Sequence, residues 1–410
     1  MKKNILIIGH TFPEPSTTAA GGRMMQLVDL FSEVGYQITF ATTASTSERS
    51  ADLEKLRIRI SAIELNNKSF DVFVSNLKPS IVLFDRYITE EQFGWRVAEQ
   101  CPEALRILDT EDLHFLRKAR EEAFKKNISV KDANLFTDIC KRELASILRC
   151  DLSLIISQFE MNLLTNVFRV SQEMLHYLPF LIKKEIKMGK NGLNFDKRVN
   201  FVAIGNLLHA PNVDSVLYLK KEIWSRIRAE LPNAQLYIYG AYAPQRILEF
   251  HNEKEGFHIK GLAEDVSEIM GEARVCLAPL RFGAGLKGKL VDAMCNGLPS
   301  VTTSIGAEGI NGDFTFAGIV ADDPKELSNA SVALYKQKGD WLKARQNGFT
   351  IIKKRFQKEI FSEAFIIRII KLQKNLQNHR NTNFIGQILQ YQSLQSTKYM
   401  SKWIEEKNKS

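Results

Sequence analysis

The chain has 410 residues, 44% hydrophobic and 25% charged, with a formal net charge of +9; one hydrophobic core stops growing before that length, so two domains of ordinary size are expected. The composition is that of a soluble globular protein, and no apolar run approaches the ~20 residues of a membrane-spanning helix. Five cysteines, widely spaced and without a CxxC pair, exclude a disulfide framework and a zinc site and fit a reducing cytoplasm, while the positive charge suits an anionic partner other than nucleic acid, because no stretch interleaves Lys/Arg with stacking aromatics.

In chain order, MKKNILIIGHTFPEP starts like a signal peptide, with a basic end and an apolar run. The run stops after about five residues without a small-residue cleavage site, so 4–8 is predicted as a first strand. A helix over 22–34 opens on Gly21 and Gly22, a small-residue turn able to face a ligand. Strands over 37–42, 81–85, 105–109 and 152–156 follow in βαβ order. Asp109, Glu111, Asp112 and His114 come directly after the strand 105–109 and are expected to project from its carboxyl end, where side chains that contact substrate lie; helix capping is an equal role for Asp109 or Asp112. The basic run RKAREEAFKK over 117–126 reads as a solvated helix face, with an acidic membrane as the alternative partner. Ser157-x-x-Glu160 has the spacing of a capping box and is given no catalytic part.

After a polar, lysine-rich stretch near 182–198 the alternation restarts: strand 199–204, helix 212–230, then strands 235–239, 257–260, 274–278 and 299–303. Two doubly wound domains are predicted, 1–183 and 199–356, joined by a linker 184–198, with the ligand in the cleft at the carboxyl ends of both sheets. A helix over 357–376 is expected to cross back onto the first domain. The tail 377–410, amide-rich with scattered Phe384, Ile388, Tyr391 and Trp403, is expected to be a peripheral, solvated or partly disordered extension. Gly205, Asn206 and Gly240 each follow a strand, so their backbone is expected to border a bound diphosphate and nucleoside.

The most informative segment is APLRFGAGLKGKLVDAMCNGLPSVTTSIGAEGI over 278–310. It reads as a strand, a glycine-rich turn, a short helix and a second strand. Gly283, Gly285 and Gly288, with Leu286 between them, let the backbone approach a ligand. Lys287 and Lys289 bring positive charge to the helix start, where unpaired N–H groups and the helix dipole also favour phosphate, and Asp292 follows one turn later. The same glycines satisfy a G-x-G-x-x-G fingerprint, with Glu308 at a distance suited to a ribose, which keeps an NAD-dependent oxidoreductase open.

The run GAGLKGKLVDAMCNGLPSVTT with its following GAEGI, together with Gly21-Gly22, DTEDLHFLR and FVAIGNLLHAPNVDSV, resembles the retaining glycosyltransferases of the group 1 type. The resemblance implies the GT-B fold, an α/β architecture of two facing Rossmann-like domains with a C-terminal bracing helix. It further implies a bacterial, cytoplasmic enzyme, at the inner face of the plasma membrane, that moves a hexose-like sugar from a nucleotide sugar onto a glycan or lipid-linked acceptor in cell-surface polysaccharide assembly. No cofactor and no metal are expected: no Asp-x-Asp pair occurs and lysines already neutralise phosphate. In that family two glutamates separated by seven residues hold the donor. Asp292 occupies the second position and Ala284 the first. The family's Arg and Lys in the first loop of the second domain are missing from GNLLHAPN, so Arg281, Lys287 and Lys289 are expected to replace that charge. His114, Asp112 and Lys287 form the expected catalytic set, and Gly261 with Leu262 the base contact. A sugar-nucleotide epimerase of the same architecture and a non-catalytic sugar-nucleotide binder stay open beside the oxidoreductase.

Overall fold

Seven stretches of the first half assemble into one parallel sheet. β1 (Asn4–Gly9), β2 (Gln37–Thr42), β3 (Arg59–Ala62), β4 (Ile81–Asp85), β5 (Leu105–Asp109), β6 (Leu152–Ile155) and β7 (Leu175–Tyr177) lie in the order β3-β2-β1-β4-β5-β6-β7. β1, β4, β5 and β6 are buried along their whole length. Strands covered on both faces read as continuous apolar runs, which is why they are visible in the sequence. The second half repeats the plan with β8 (Val199–Ile204), β9 (Leu236–Tyr239), β10 (Phe257–Gly261), β11 (Ala273–Ala278), β12 (Ser300–Thr302) and β13 (Gly318–Val320), ordered β10-β9-β8-β11-β12-β13. This computed structural model describes residues 3–183 and 194–408; most of the expected linker, 184–193, lies outside the described residues.

Three strands have no counterpart in the sequence prediction. β3, β7 and β13 are edge strands of four, three and three residues, too short to display a period. The first helix runs Ala19–Glu33, not from 22; Thr18 caps it by accepting the Gly21 N–H at 2.9 Å, so Gly21 and Gly22 sit inside the first turn. The helix predicted over 212–230 is broken into Ala210–Tyr218, a π-helical turn Leu219–Ile223, and Trp224–Glu230.

In each sheet the winding reverses at its first strand, between β1 and β4 and between β8 and β11, and doubly wound sheets bind ligands in the crevice outside that point. The domains meet with these ends together. An apolar cluster behind them joins Ile156 and Phe180 of the first domain to Leu286, Leu290 and Val291 of the second. The helix Lys358–Lys374 then leaves the second domain and buries Phe365, Ile369 and Leu372 beside Leu27 and Phe31, each such side chain contributing about 1.5–3 kcal/mol of hydrophobic stabilisation.

The tail departs from its prediction. Helices Leu376–Thr382 and Phe384–Lys407 fold back on the first domain instead of extending into solvent. Arg380 donates to the Asp151 carboxylate from Nε at 2.7 Å and from Nη2 at 2.8 Å. Arg96, 2% exposed, donates to Ser401 and Glu405. These partners lie 229, 305 and 309 residues apart, so nothing local announces them. Phe384, Ile388, Tyr391 and Trp403 remain exposed. Among the described residues no helix is long and apolar enough to cross a membrane.

Candidate functional site

A cavity of about 620 Å³ lies between the domains and takes its walls from both, a size ordinary for a small-molecule site. On the first-domain side Arg86 and Glu111, at the ends of β4 and β5, have φ of 70° and 65°. Non-glycine residues held in that left-handed region cost of order 1–3 kcal/mol and concentrate where side chains must be aimed. Burial pushes the Glu111 carboxyl up to about 8, against the pull of Arg86.

The helix His114–Lys125 starts at this wall, but neither Asp109 nor Asp112 caps it. Glu143 accepts the N–H of His114 at 3.1 Å and of Phe115 at 2.8 Å, and Glu160 accepts that of Leu113 at 3.0 Å. Asp109 is fully buried and held by Arg23, whose Nη2 donates at 2.7 Å; it does not reach the cavity, contrary to prediction. Asp112, free of capping, accepts from Arg117 Nε at 2.8 Å and lies 3.4 Å from His114 Nε2. Burial opposes charge on Asp112, yet Arg117 and then His114 keep its carboxyl well below the usual range. Burial pushes His114 down to about 4 despite Asp112. The imidazole is therefore neutral at neutral pH, with one donor and one acceptor nitrogen to offer.

On the opposite wall Gly205, Asn206, Gly240 and Leu262 line the cavity. A Cβ on Gly205 would come within 2.7 Å of Lys289 Nζ, and one on Gly240 within 2.3 Å of the Gly205 carbonyl oxygen. Gly240 is thus required by the approach of the Gly205 backbone, whereas at Gly205 the side chains of Lys289 and Asn212 would have to shift; Lys289 donates to Asn212 Oδ1 at 2.8 Å. Asn206 is occupied with its own turn: Oδ1 accepts the Leu208 N–H at 2.9 Å and its carbonyl accepts Asn212 Nδ2 at 2.8 Å. The glycine turn enters the helix Gly288–Cys295, whose leading N–H groups have no intrahelical acceptor. Lys287, 7% exposed, donates from Nζ to the Gly285 carbonyl at 2.7 Å. Burial lowers both Lys287 and Lys289 to about 8. Asp292 opens onto the cavity, whose walls push its carboxyl up to about 6 by burial.

Gly21, Gly22, Gly205, Asn206, Gly240, Leu262, Gly283, Leu286, Lys287, Gly288, Lys289 and Asp292 all line this one cavity with Asp112 and His114. Arg281 does not join them. Its Nε and Nη2 donate to Asp214 at 2.9 and 2.6 Å, and its guanidinium lies 4.5 and 4.3 Å from the ring centres of Phe124 and Tyr218, so the charge expected from it is supplied elsewhere. Gly261 stands behind Leu262 and Gly285 behind its neighbours, outside the lining. Ala284 lines the cavity and also packs against the apolar core of the first domain. Glu308, placed by the fingerprint on a ribose, is instead bound by Arg120 at 2.8 Å through both Nη atoms.

Arg86, Arg117, His209 and Asn212 also line the cavity and are absent from the sequence prediction. Arg117 was obscured by the basic run that reads as a solvated face. His209 carries a usable signal, since Pro211 marks the first turn of the helix Ala210–Tyr218 and His209 is its N-cap.

Known proteins share this fold. The family Glycosyl transferases group 1 matches residues 198–337. Sucrose-phosphate synthase from Thermosynechococcus elongatus superimposes with a TM-score of 0.69 at 14% identity, over 90% of this chain and 99% of that one. A glycosyltransferase from Rickettsia africae ESF-5 gives 0.66 at 10% identity over 91% and 99%, and the Anabaena protein Alr3699/HepE, solved in complex with UDP-glucose, 0.66 at 12% over 90% and 100%. At these identities the likeness is one of fold. No curated protein sequence matches the chain.

Proposed function

We propose that the chain, whose residues 198–337 match the group 1 glycosyltransferases and which shares its fold with a solved relative over 90% of its length, transfers a hexosyl group from a nucleoside-diphosphate sugar to a glycan or lipid-linked acceptor. One observation carries this reading: Lys287, Lys289 and the start of the helix Gly288–Cys295 converge on a cavity whose opposite wall holds Asp112 and His114. Breaking the anomeric C–O bond leaves the electron pair on a diphosphate, and fixed cations and N–H donors are what stabilise that growing charge. The two lysines make a divalent cation unnecessary in this proposal. Asp292 is the proposed ribose contact.

Ala284 has no group to hold a sugar hydroxyl, so His114 and Asp112 are the proposed sugar contacts from the other domain. Transfer is proposed to retain configuration by front-side attack, the acceptor hydroxyl giving its proton to the departing phosphate oxygen. The proposed setting is cell-surface polysaccharide assembly at the cytoplasmic face of the membrane. The UDP-glucose complex of the Anabaena protein makes that compound the first donor to try. The oxidoreductase alternative is disfavoured because Glu308 is bound to Arg120.

Calorimetric titration with UDP, GDP, ADP and NAD tests the reading, followed by turnover with the matching nucleotide sugar. One nucleoside diphosphate is expected to bind, with transfer from its sugar. Binding of NAD alone, or of no nucleotide, overturns it.

A further inference from the structure

Glu160 reads in sequence as half of a capping box, but Ser157 makes no side-chain cap bond, and the Glu160 carboxylate does different work. It is 0% exposed, and its Oε1 accepts the Leu113 N–H at 3.0 Å and, from the other domain, the Gly285 N–H at 2.9 Å. Arg120, on the neighbouring helix His114–Lys125, crosses the same boundary. Its Nη1 donates to the Gly283 carbonyl at 2.8 Å, while both Nη atoms bind Glu308 at 2.8 Å. The turn is thus held at an N–H and a C=O by two side chains that do not belong to its own domain. Within the turn, the Gly285 carbonyl is the acceptor for Lys287 Nζ at 2.7 Å.

Burial of an ion without full compensation is expensive. Glu160 Oε2 is buried with no hydrogen-bond partner, so this carboxylate is not placed to best advantage for stability alone. Orphaned buried polar atoms call for another explanation, and the geometry supplies one.

We propose that Glu160 and Arg120 are positioning residues of the nucleotide site, contributed by the first domain to set the Gly283 and Gly285 peptide groups and, through them, the Lys287 ammonium. The proposal rests on the cavity being a nucleotide-sugar site. Docking of the domains and completion of the diphosphate cradle then become one event, because the turn acquires its hydrogen bonds at Gly283 and Gly285 to Arg120 and Glu160 across the interface.

The test uses the full chain and the variants E160A, E160Q and R120M. Hydrogen–deuterium exchange of the peptide covering 282–289, without nucleotide, is expected to quicken at least about tenfold in E160A, since a buried N–H group left without its acceptor loses about that much. With UDP-glucose as probe, E160A and R120M are expected to raise KM at least about tenfold with kcat little changed, and E160Q, which keeps an oxygen for both N–H groups, to recover most of the loss. A merely structural role would lower the active fraction, and so kcat, leaving KM alone. Unchanged exchange in E160A, an unchanged KM, or a kcat loss without rescue by E160Q overturns the proposal. Should wild type bind no nucleotide, the reading of the cavity falls, and the exchange measurement still decides whether the turn is set from across the interface.

Discussion

Gly285 seats against Asp112 across the domain boundary: a Cβ added to Gly285 would stand 2.8 Å from the Asp112 Cβ. Its φ of 62° also lies in the left-handed region, where an L side chain costs about 1–2 kcal/mol. Gly285→Ala is therefore expected to part the two walls of the cavity and lower kcat/KM at least about tenfold. Both sheet cores lie away from the contact, so far-UV circular dichroism should stay native. Wild-type kinetics in this variant would show that the seat has no bearing on activity.

Lys289 is the cation packed over the Gly205 loop. Lys289→Met keeps most of the side-chain volume and removes the charge. Affinity for the matching nucleoside diphosphate should fall about tenfold or more, the loss expected for a charge-assisted hydrogen bond, with little change in thermal midpoint. Isothermal calorimetry reads the first quantity and differential scanning calorimetry the second.

Nucleotide affinity should weaken as pH rises. Lys287 and Lys289 are both depressed to about 8 by burial, so in the unliganded protein they are charged below that pH and discharge above it. A diphosphate bound at about pH 9 must first be met by proton uptake, and the dissociation constant grows accordingly. Asp292, raised to about 6, adds an acid limb: protonated below that pH, it becomes a poorer acceptor for ribose hydroxyls. Titrations from about pH 5 to about pH 9 should show tightest binding between the two limbs, and a flat profile would contradict the assignment.

His114 should act on turnover more than on nucleotide affinity. It is neutral and stands beside Asp112, on the wall facing the lysines. His114→Ala is expected to lower kcat by about ten- to hundredfold while UDP binding stays within about twofold, a pattern of interactions made chiefly in the transition state. Steady-state rates with UDP-glucose and a UDP titration separate the two effects.

The tail helices contribute to stability. Arg380→Ala removes a guanidinium from Asp151, which is 2% exposed, and breaking one side of a buried ion pair costs about 3–5 kcal/mol. Arg106 remains 3.7 Å from Asp151, so a loss nearer about 2–3 kcal/mol is expected. Urea unfolding followed by tryptophan fluorescence measures it; an unchanged midpoint would mean that the tail docks without that pair.

The positions along the glycine turn illustrate what was readable. Gly283, Lys287, Gly288, Lys289 and Asp292 come together on the cavity because one strand, one turn and one short helix carry all of them. Arg281, six residues before Lys287 and equally basic, points away because Asp214 and two aromatic rings claim it. Asp109 and Asp112 separate in the same manner, one bound by Arg23 and the other by Arg117.

Sequence alone determined the two doubly wound sheets and the glycine turn that opens on the cleft between them, since buried parallel strands and glycine turns write their requirements into consecutive residues. Only the tertiary structure decided which ionic groups face the cavity, which side chains tie the domains together and where the tail rests. Each of those outcomes is a competition for partners distant in the chain, 67 residues for Arg281 and Asp214, 125 for Glu160 and Gly285, 188 for Arg120 and Glu308. Charge finds its partner through space, and no local pattern records the winner.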